Sequence, residues 1–233
     1  MKRNFFYLIT IVTAVLLTAN IPVRVTGQIT LNFQYTGKVT IGLAGSDKAT
    51  IDWGDGTRVE THTLKFSMVP ISHTYSGSTP RTITISGNSI RGLVCTDMQL
   101  TSLDVSKCTT LSILDCSRNK LTSLDLNNNL LLRHLTCTHN QLTGLDVSKI
   151  TWLAHIRCSF NQITNLDVSH NIAIKNLYCD NNQLNVNNME NFLRSLHGNV
   201  INGGKSIYIS DNPGIPGANT SLARGWTIGG LTN

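Results

Sequence analysis

Four consecutive stretches decide the fold: LTSLDVSKCTTLSILDCSRNK at residues 100–120, LTSLDLNNNLLLRHLTCTHNQ at 121–141, LTGLDVSKITWLAHIRCSFNQ at 142–162 and ITNLDVSHNIAIKNLYCDNNQ at 163–183. Each is twenty-one residues long, and they align without a gap. Cys95, Cys116, Cys137, Cys158 and Cys179 repeat with the same period, so Ile90, Leu93 and Cys95 read as a truncated first turn. Self-similarity at a fixed period predicts a solenoid. Within a unit the pattern nearly repeats again, Leu-x-x-Leu-Asp-Val in one half and Leu-x-x-Leu-x-Cys-x-x-Asn in the other, which predicts two short extended segments per turn. Alternation then places Leu114 and Cys116 on the inner face with Asp115 outside. One turn alone could bury neither half, so the apolar faces are satisfied only by stacking.

These motifs resemble those of bacterial leucine-rich-repeat proteins, in the short 21-residue class with nested half-repeats. The resemblance covers residues 89–233 and implies interaction or adhesion. After Leu184 the period breaks. NNMENFLRSLHGN carries Met189, Phe192, Leu193 and Leu196 at helical spacing and ends at Gly198, predicting one amphipathic helix. SIYISDNPG, from Ser206, returns to the Leu-x-Cys-x-x-Asn pattern with Ile207, Ile209 and Asn212. ARGWTI, from Ala223, reads as a final capping strand.

Upstream, Lys2 and Arg3 precede an apolar run at residues 5–19 and then Val25-Thr26-Gly27, the layout of a signal peptide cut before Gln28. A retained membrane anchor is the alternative, although the run is short for crossing a bilayer. Loss of residues 1–27 removes Lys2, Arg3 and Arg24 and no acid, lowering the formal charge of +6 by three, to +3. The remaining basic residues are not clustered, which argues against a nucleic-acid partner.

Residues 28–88 alternate β-formers: Ile29, Leu31, Phe33 and Tyr35, then Val39, Ile41 and Leu43, then Ile51 and Trp53, then Ile83 and Ile85. They predict a short antiparallel sandwich with a tight Asp55-Gly56 turn. IDWGDGT, HTY from His73 and TITISG from Thr82 resemble the polycystic-kidney-disease-like (PKD-like) immunoglobulin-type domain of extracellular proteins. The expected fold class is therefore mainly β, an immunoglobulin/PKD-like sandwich at 28–88 followed by a solenoid at 89–233 with one helix near the C-terminus. Asp52 and Asp55 beside His73 could form a metal or catalytic site. Local backbone hydrogen bonding is the plainer role for aspartates in such a turn.

Six cysteines in an exported chain invite disulfides. Yet the periodic five fall in one column of neighbouring strands about 4.8 Å apart, beyond the Cβ spacing of roughly 3.8 Å that a disulfide prefers. Buried thiols are expected, and a linear column cannot surround a zinc ion. Cys108, off the column, is expected in an accessible turn. Asn119, Asn140, Asn161 and Asn182 form a second column, suited to satisfying backbone groups inside the solenoid. Asp104, Asp125, Asp146 and Asp167 form a third, facing outward, where amide hydrogen bonds or bridging calcium would offset like-charge repulsion.

Function is sought where the internal copies differ. His134, His155 and Asn176 lie in one outward column beside Ile113; Asp115, Thr136, Arg157 and Tyr178 form the next; His139 and Phe160 lie beside them with Arg118 and Asn181. Arginine and aromatic residues are typical of recognition surfaces, and a solvated strand face is the plain alternative. A metal shared by His134 and His155 would lack a third ligand. Neither a nucleophile elbow nor a phosphate-binding loop is present, so an enzyme, a cofactor and a metal are not expected. The sequence reads as a secreted or cell-surface module, expected to be a monomer without a membrane span after leader cleavage, that binds an extracellular protein. Glycan binding through Tyr178, Trp152 and Phe160, or a structural envelope role without a ligand, are the alternatives.

Overall fold

A computed structural model of the chain describes residues 27–198, 204–223 and 225–229. The expected leader lies outside the described residues except for Gly27. Eight strands come first: β1 (Gln28–Phe33), β2 (Gly37–Gly45), β3 (Lys48–Asp52), β4 (Glu60–Thr63), β5 (Val69–Tyr75), β6 (Arg81–Ser86), β7 (Ile90–Val94) and β8 (Leu100–Asp104). The repeats then supply β9 (Ile113–Asp115), β10 (His134–Thr136), β11 (His155–Arg157) and β12 (Asn176–Tyr178). Helix α1 (Val186–Ser195), β13 (Ser206–Tyr208), two 3-10 turns and β14 (Thr227–Gly229) close the chain.

Among the described residues two sheets hold the fourteen strands. One has the order β4-β3-β6-β1-β8, the other β14-β13-β12-β11-β10-β9-β7-β2-β5. In the second sheet the strands from β7 through β9 to β14 are parallel and in register, one per turn. The N-terminal strands pair antiparallel. The expected boundary at 88/89 falls between β6 and β7, and both sheets cross it: β8 pairs with β1, and β7 pairs with β2 on one side and β9 on the other. One core runs from Ile29 to Trp226.

Strands β4 and β5 carry weak sequence signals because both lie at sheet edges. β4 reads ETHT with no fully buried residue, and β5 tolerates Pro70, whose missing N–H costs least at an edge. In the 53–59 turn, Gly54 has φ of +72° and no room for a side chain, since a Cβ there would lie 2.2 Å from the Thr82 carbonyl oxygen.

The expectation of two extended segments per turn holds as two ladders only in the first turn, where β8 finds β1 as a partner. In later turns the Leu-x-x-Leu-Asp-Val half is not a strand, and the turns are joined there by single bonds such as Gln141 N to Leu121 O (2.8 Å) and Gln162 N to Leu142 O (2.9 Å). β1 ends after six residues and cannot follow the stack.

All six cysteines are free and buried. Burial pushes the Cys116 and Cys158 thiols up to about 12, and those of Cys95, Cys137 and Cys179 also rise. The expectation that Cys108 is accessible is wrong. Its side chain points inward at 0% exposure, and its Sγ donates to the Ile90 carbonyl at 3.6 Å. Cys108 occupies the inner position that Asn129, Ile150 and Asn171 fill in later turns. Asn129 and Asn171, not singled out from the sequence, donate from Nδ2 to carbonyls of the preceding turn, Val105 and Cys108 for the first, Val147 and Ile150 for the second.

The other asparagine column follows one rule. Asn119 accepts from the Met98 and Leu100 amides and donates to the Cys95 and Cys116 carbonyls. Asn140, Asn161 and Asn182 donate in the same way one turn on each time and accept from one amide each, that of Leu121, Leu142 and Ile163. Each outward aspartate accepts from the amide two residues ahead: Asp104 from Ser106, Asp125 from Asn127, Asp146 from Ser148 and Asp167 from Ser169, all at 2.8–2.9 Å. Hydrogen bonds from those serines hold Asp104, Asp146 and Asp167 below the usual carboxylate range.

Helix α1 starts at Asn185, whose side chain accepts from the Asn188 amide at 2.9 Å, and buries Met189, Phe192 and Leu193. Beyond it Lys205 donates to the His197 carbonyl at 3.0 Å and sits over Trp226, closing the last turns.

Candidate binding surface

The register of the parallel strands fixes which side chains meet on the outer face. Leu114, Leu135, Ile156, Leu177 and Ile207 point inward in one row. Their flanking residues therefore point outward in two rows: Ile113, His134, His155, Asn176 and Ser206 in the first, Asp115, Thr136, Arg157, Tyr178 and Tyr208 in the second. Tyr208 was not among the expected surface residues, because the insertion of α1 breaks the period before it.

A third outward row follows the strands. Arg118, His139, Phe160, Asn181 and Asp211 all have φ between +54° and +56°. This left-handed conformation suits glycine or asparagine and costs other residues roughly 1–2 kcal/mol. The periodic turn imposes it, and Asn181 fits it. Phe160 does not, and at 45% exposure the ring gains little burial in return.

Side chains of successive turns stack along the rows. His134 and His155 lie 4.6 Å apart between ring centroids at an interplanar angle of 7°, His139 and Phe160 at 4.3 Å and 17°, and Tyr178 and Tyr208 at 4.4 Å and 4°. The Arg157 guanidinium lies 5.0 Å from the Tyr178 ring centroid. Because β12 lies between β11 and β13, Arg157 and Tyr208 cover opposite faces of Tyr178. Partial burial lowers the pKa of both stacked histidines, helped by Arg133 for His134 and by His134, Lys175 and Arg157 for His155. Both rings are accordingly neutral at pH 7.

A shallow hollow of about 300 Å³ gathers Arg157, Phe160, His139 and Tyr178 with Thr138, Ser159 and Asp180. Ser159 Oγ donates to Asp180 at 2.6 Å, fixing the carboxylate at the rim. The structure thus brings four of the expected surface residues into one depression. His134, His155 and Asn176 form the adjoining row. Asp115 lies two turns from Arg157 and is held by Ser117 through both its amide and its hydroxyl. Trp152 precedes β11 while Phe160 follows it, so the two rings occupy opposite margins of the sheet.

In the N-terminal part Asp55 Oδ2 meets His73 Nε2 at 2.7 Å, and His73 stacks on Trp53 at 4.8 Å. Asp52 accepts from the Gly54 amide, and Asp55 Oδ1 accepts from the Thr57 amide and hydroxyl. These carboxylates are occupied in holding the turn. Among the described residues no group of three or more His, Cys, Asp or Glu is placed to hold a metal ion, and no helix is long and apolar enough to cross a membrane.

No protein-family model matches the chain, and no curated protein sequence matches it significantly. Solved structures similar to it include an internalin, InlF, from Listeria monocytogenes strain 4b F2365, at 24% identity and a TM-score of 0.44 over 55% of this chain and 37% of that one. Another is the functional domain of InlJ from Listeria monocytogenes, described as including a cysteine ladder, at 23% identity and a TM-score of 0.34 over 60% and 48%. The chain thus spans less than half the length of either, and a likeness of this size says nothing of a partner.

Proposed function

We propose that the chain is a secreted or cell-surface binding or adhesion module that recognises an extracellular protein through the outer face of the parallel sheet. In this reading the immunoglobulin/PKD-like strands of residues 28–88 share both sheets with the solenoid at 89–233 and brace its first turn, and the contact centres on Arg157, Phe160, His139 and Tyr178. The observation that carries it is Phe160. A half-exposed phenylalanine in a left-handed backbone is favoured neither by local conformation nor by burial, so its use lies in what it meets. Stacked neighbours and the Ser159–Asp180 hydrogen bond hold the surrounding side chains in place, which reduces the entropy lost on binding.

A protein suits this face better than a glycan. Sugar rings dock on free aromatic faces, whereas Tyr178 has both faces covered by Arg157 and Tyr208, and Trp152 stands at the far margin. The test is capture from extracellular protein and glycan libraries by the immobilised chain and by Arg157→Ala, Tyr178→Ala and Phe160→Asn. Each variant should weaken capture at least about tenfold, the loss expected of a central contact. Phe160→Asn should meanwhile hold or raise Tm, since asparagine accepts the left-handed conformation. Undiminished capture by all three variants would remove this face from the function.

A further inference from the structure

A second surface lies along the margin where the chain turns into the parallel strands, away from the hollow. Residues immediately preceding β9 to β12 form a ladder of their own that starts from Arg91 in β7: Ser112 N bonds Arg91 O, Arg133 N bonds Ser112 O, Ala154 N bonds Arg133 O and Lys175 N bonds Ala154 O, at 2.8–2.9 Å. Arg91, Arg133 and Lys175 therefore stand in one line on alternate turns, and all three are exposed. Among the described residues the ion pairs use none of them.

The same margin displays apolar groups that the core does not use. Phe66 is 78% exposed, Leu131 58% and Trp152 57%. They alternate with the cations, for Arg91 lies over the Phe66 ring at 5.9 Å and Arg133 over Trp152 at 5.6 Å. Leu131 and Trp152 occupy equivalent places in successive turns and belong to the short bends before β10 and β11.

We infer that this margin docks on an anionic lipid surface. Projecting aromatic and aliphatic tips can enter the boundary between headgroups and acyl chains, while a line of unpaired cations meets lipid phosphates. Tryptophan and arginine side chains suit that boundary because each combines an apolar body with a polar end. Charge complementarity selects the occupant: the line carries only positive charge, and the tips project rather than enclose, so a soft anionic phase satisfies both without a matching groove. Docked in this way, the hollow around Arg157 remains open on the adjacent face. The inference stands whether or not that face binds a protein.

Trp152 reports the event, since Trp53 and Trp226 are buried at 0% and 7% exposure. The experiment measures tryptophan emission of the full chain with vesicles of phosphatidylcholine alone or mixed with phosphatidylglycerol, with and without brominated acyl chains, subtracting the signal of Trp152→Phe. The expected result is a blue shift and bromine quenching of Trp152 on anionic vesicles only. Each of Arg91→Gln, Arg133→Gln and Lys175→Gln should weaken partitioning roughly fivefold. The apolar run at residues 5–19 is common to all variants and drops out of the difference. Trp152 emission indifferent to anionic vesicles, or a response surviving the triple Gln variant, would overturn the inference. So would protection of Trp152 by polyglutamate but not by vesicles, which would put an acidic protein there instead.

Discussion

Asn140 accepts from the Leu121 amide at 3.0 Å and donates to the Cys116 and Cys137 carbonyls at 3.0 and 3.1 Å, joining two successive turns with one carboxamide. Leucine would keep the volume and leave those buried backbone groups without partners. Asn140→Leu should therefore lower stability by roughly 1–3 kcal/mol, read as a fall in the chemical-denaturation midpoint. The cysteines show the opposite economy, a polarisable side chain used as a small apolar one. With every thiol buried and its pKa raised, Ellman's reagent at pH 8 should find none reactive in the native protein and all six in denaturant. Rapid labelling of one thiol would show that Cys108 does open to solvent.

At the scale of elements, the turn between β3 and β4 is held by charge as well as by glycine. Burial alone would raise the Asp55 pKa, but hydrogen bonds from Thr57 and His73 outweigh it and bring it down to about 2. A depressed folded-state value adds stability that is complete above the unfolded value near 4 and is lost as pH falls through about 2. Between about pH 4 and pH 2, wild-type Tm should thus fall more steeply than that of Asp55→Asn, which has no carboxylate to protonate. Parallel slopes would mean that the Asp55–His73 contact contributes nothing to folding. The strand elements carry a similar lesson. Three-residue strands β9 to β12 are too short to persist alone and exist because each is zipped to two neighbours.

For the whole molecule, the continuity of both sheets makes the N-terminal part and the repeats one folding unit. β1 pairs with the first turn through Thr30 to Phe33 and β2 through Gly42 to Gly45, and the core has no break between them. A fragment of residues 28–88 would expose those two pairing edges and the apolar side chains that the first turn covers. It should show no cooperative thermal transition by circular dichroism, while the full chain melts in a single step. A cooperative melt of the fragment would establish independent domains. What the sequence by itself determined is everything that depends on period: the stacked turns, the buried cysteine and asparagine columns and the outward rows holding Arg157 and Tyr178. Each follows from local alternation repeated four times, and repetition makes a weak local signal unmistakable. Only the tertiary structure decided what depends on a partner distant in sequence. β4 and β5 are strands because β3 and β2 accept them, Cys108 is buried because the preceding turn closes over it, and β8 is a strand because β1 reaches it. Tyr208 joins Tyr178 only after a helix has been looped out between them. Phe160 was legible as a residue, but its left-handed backbone, the feature that sets it apart, arises from the closure of the turn and is written in no single position.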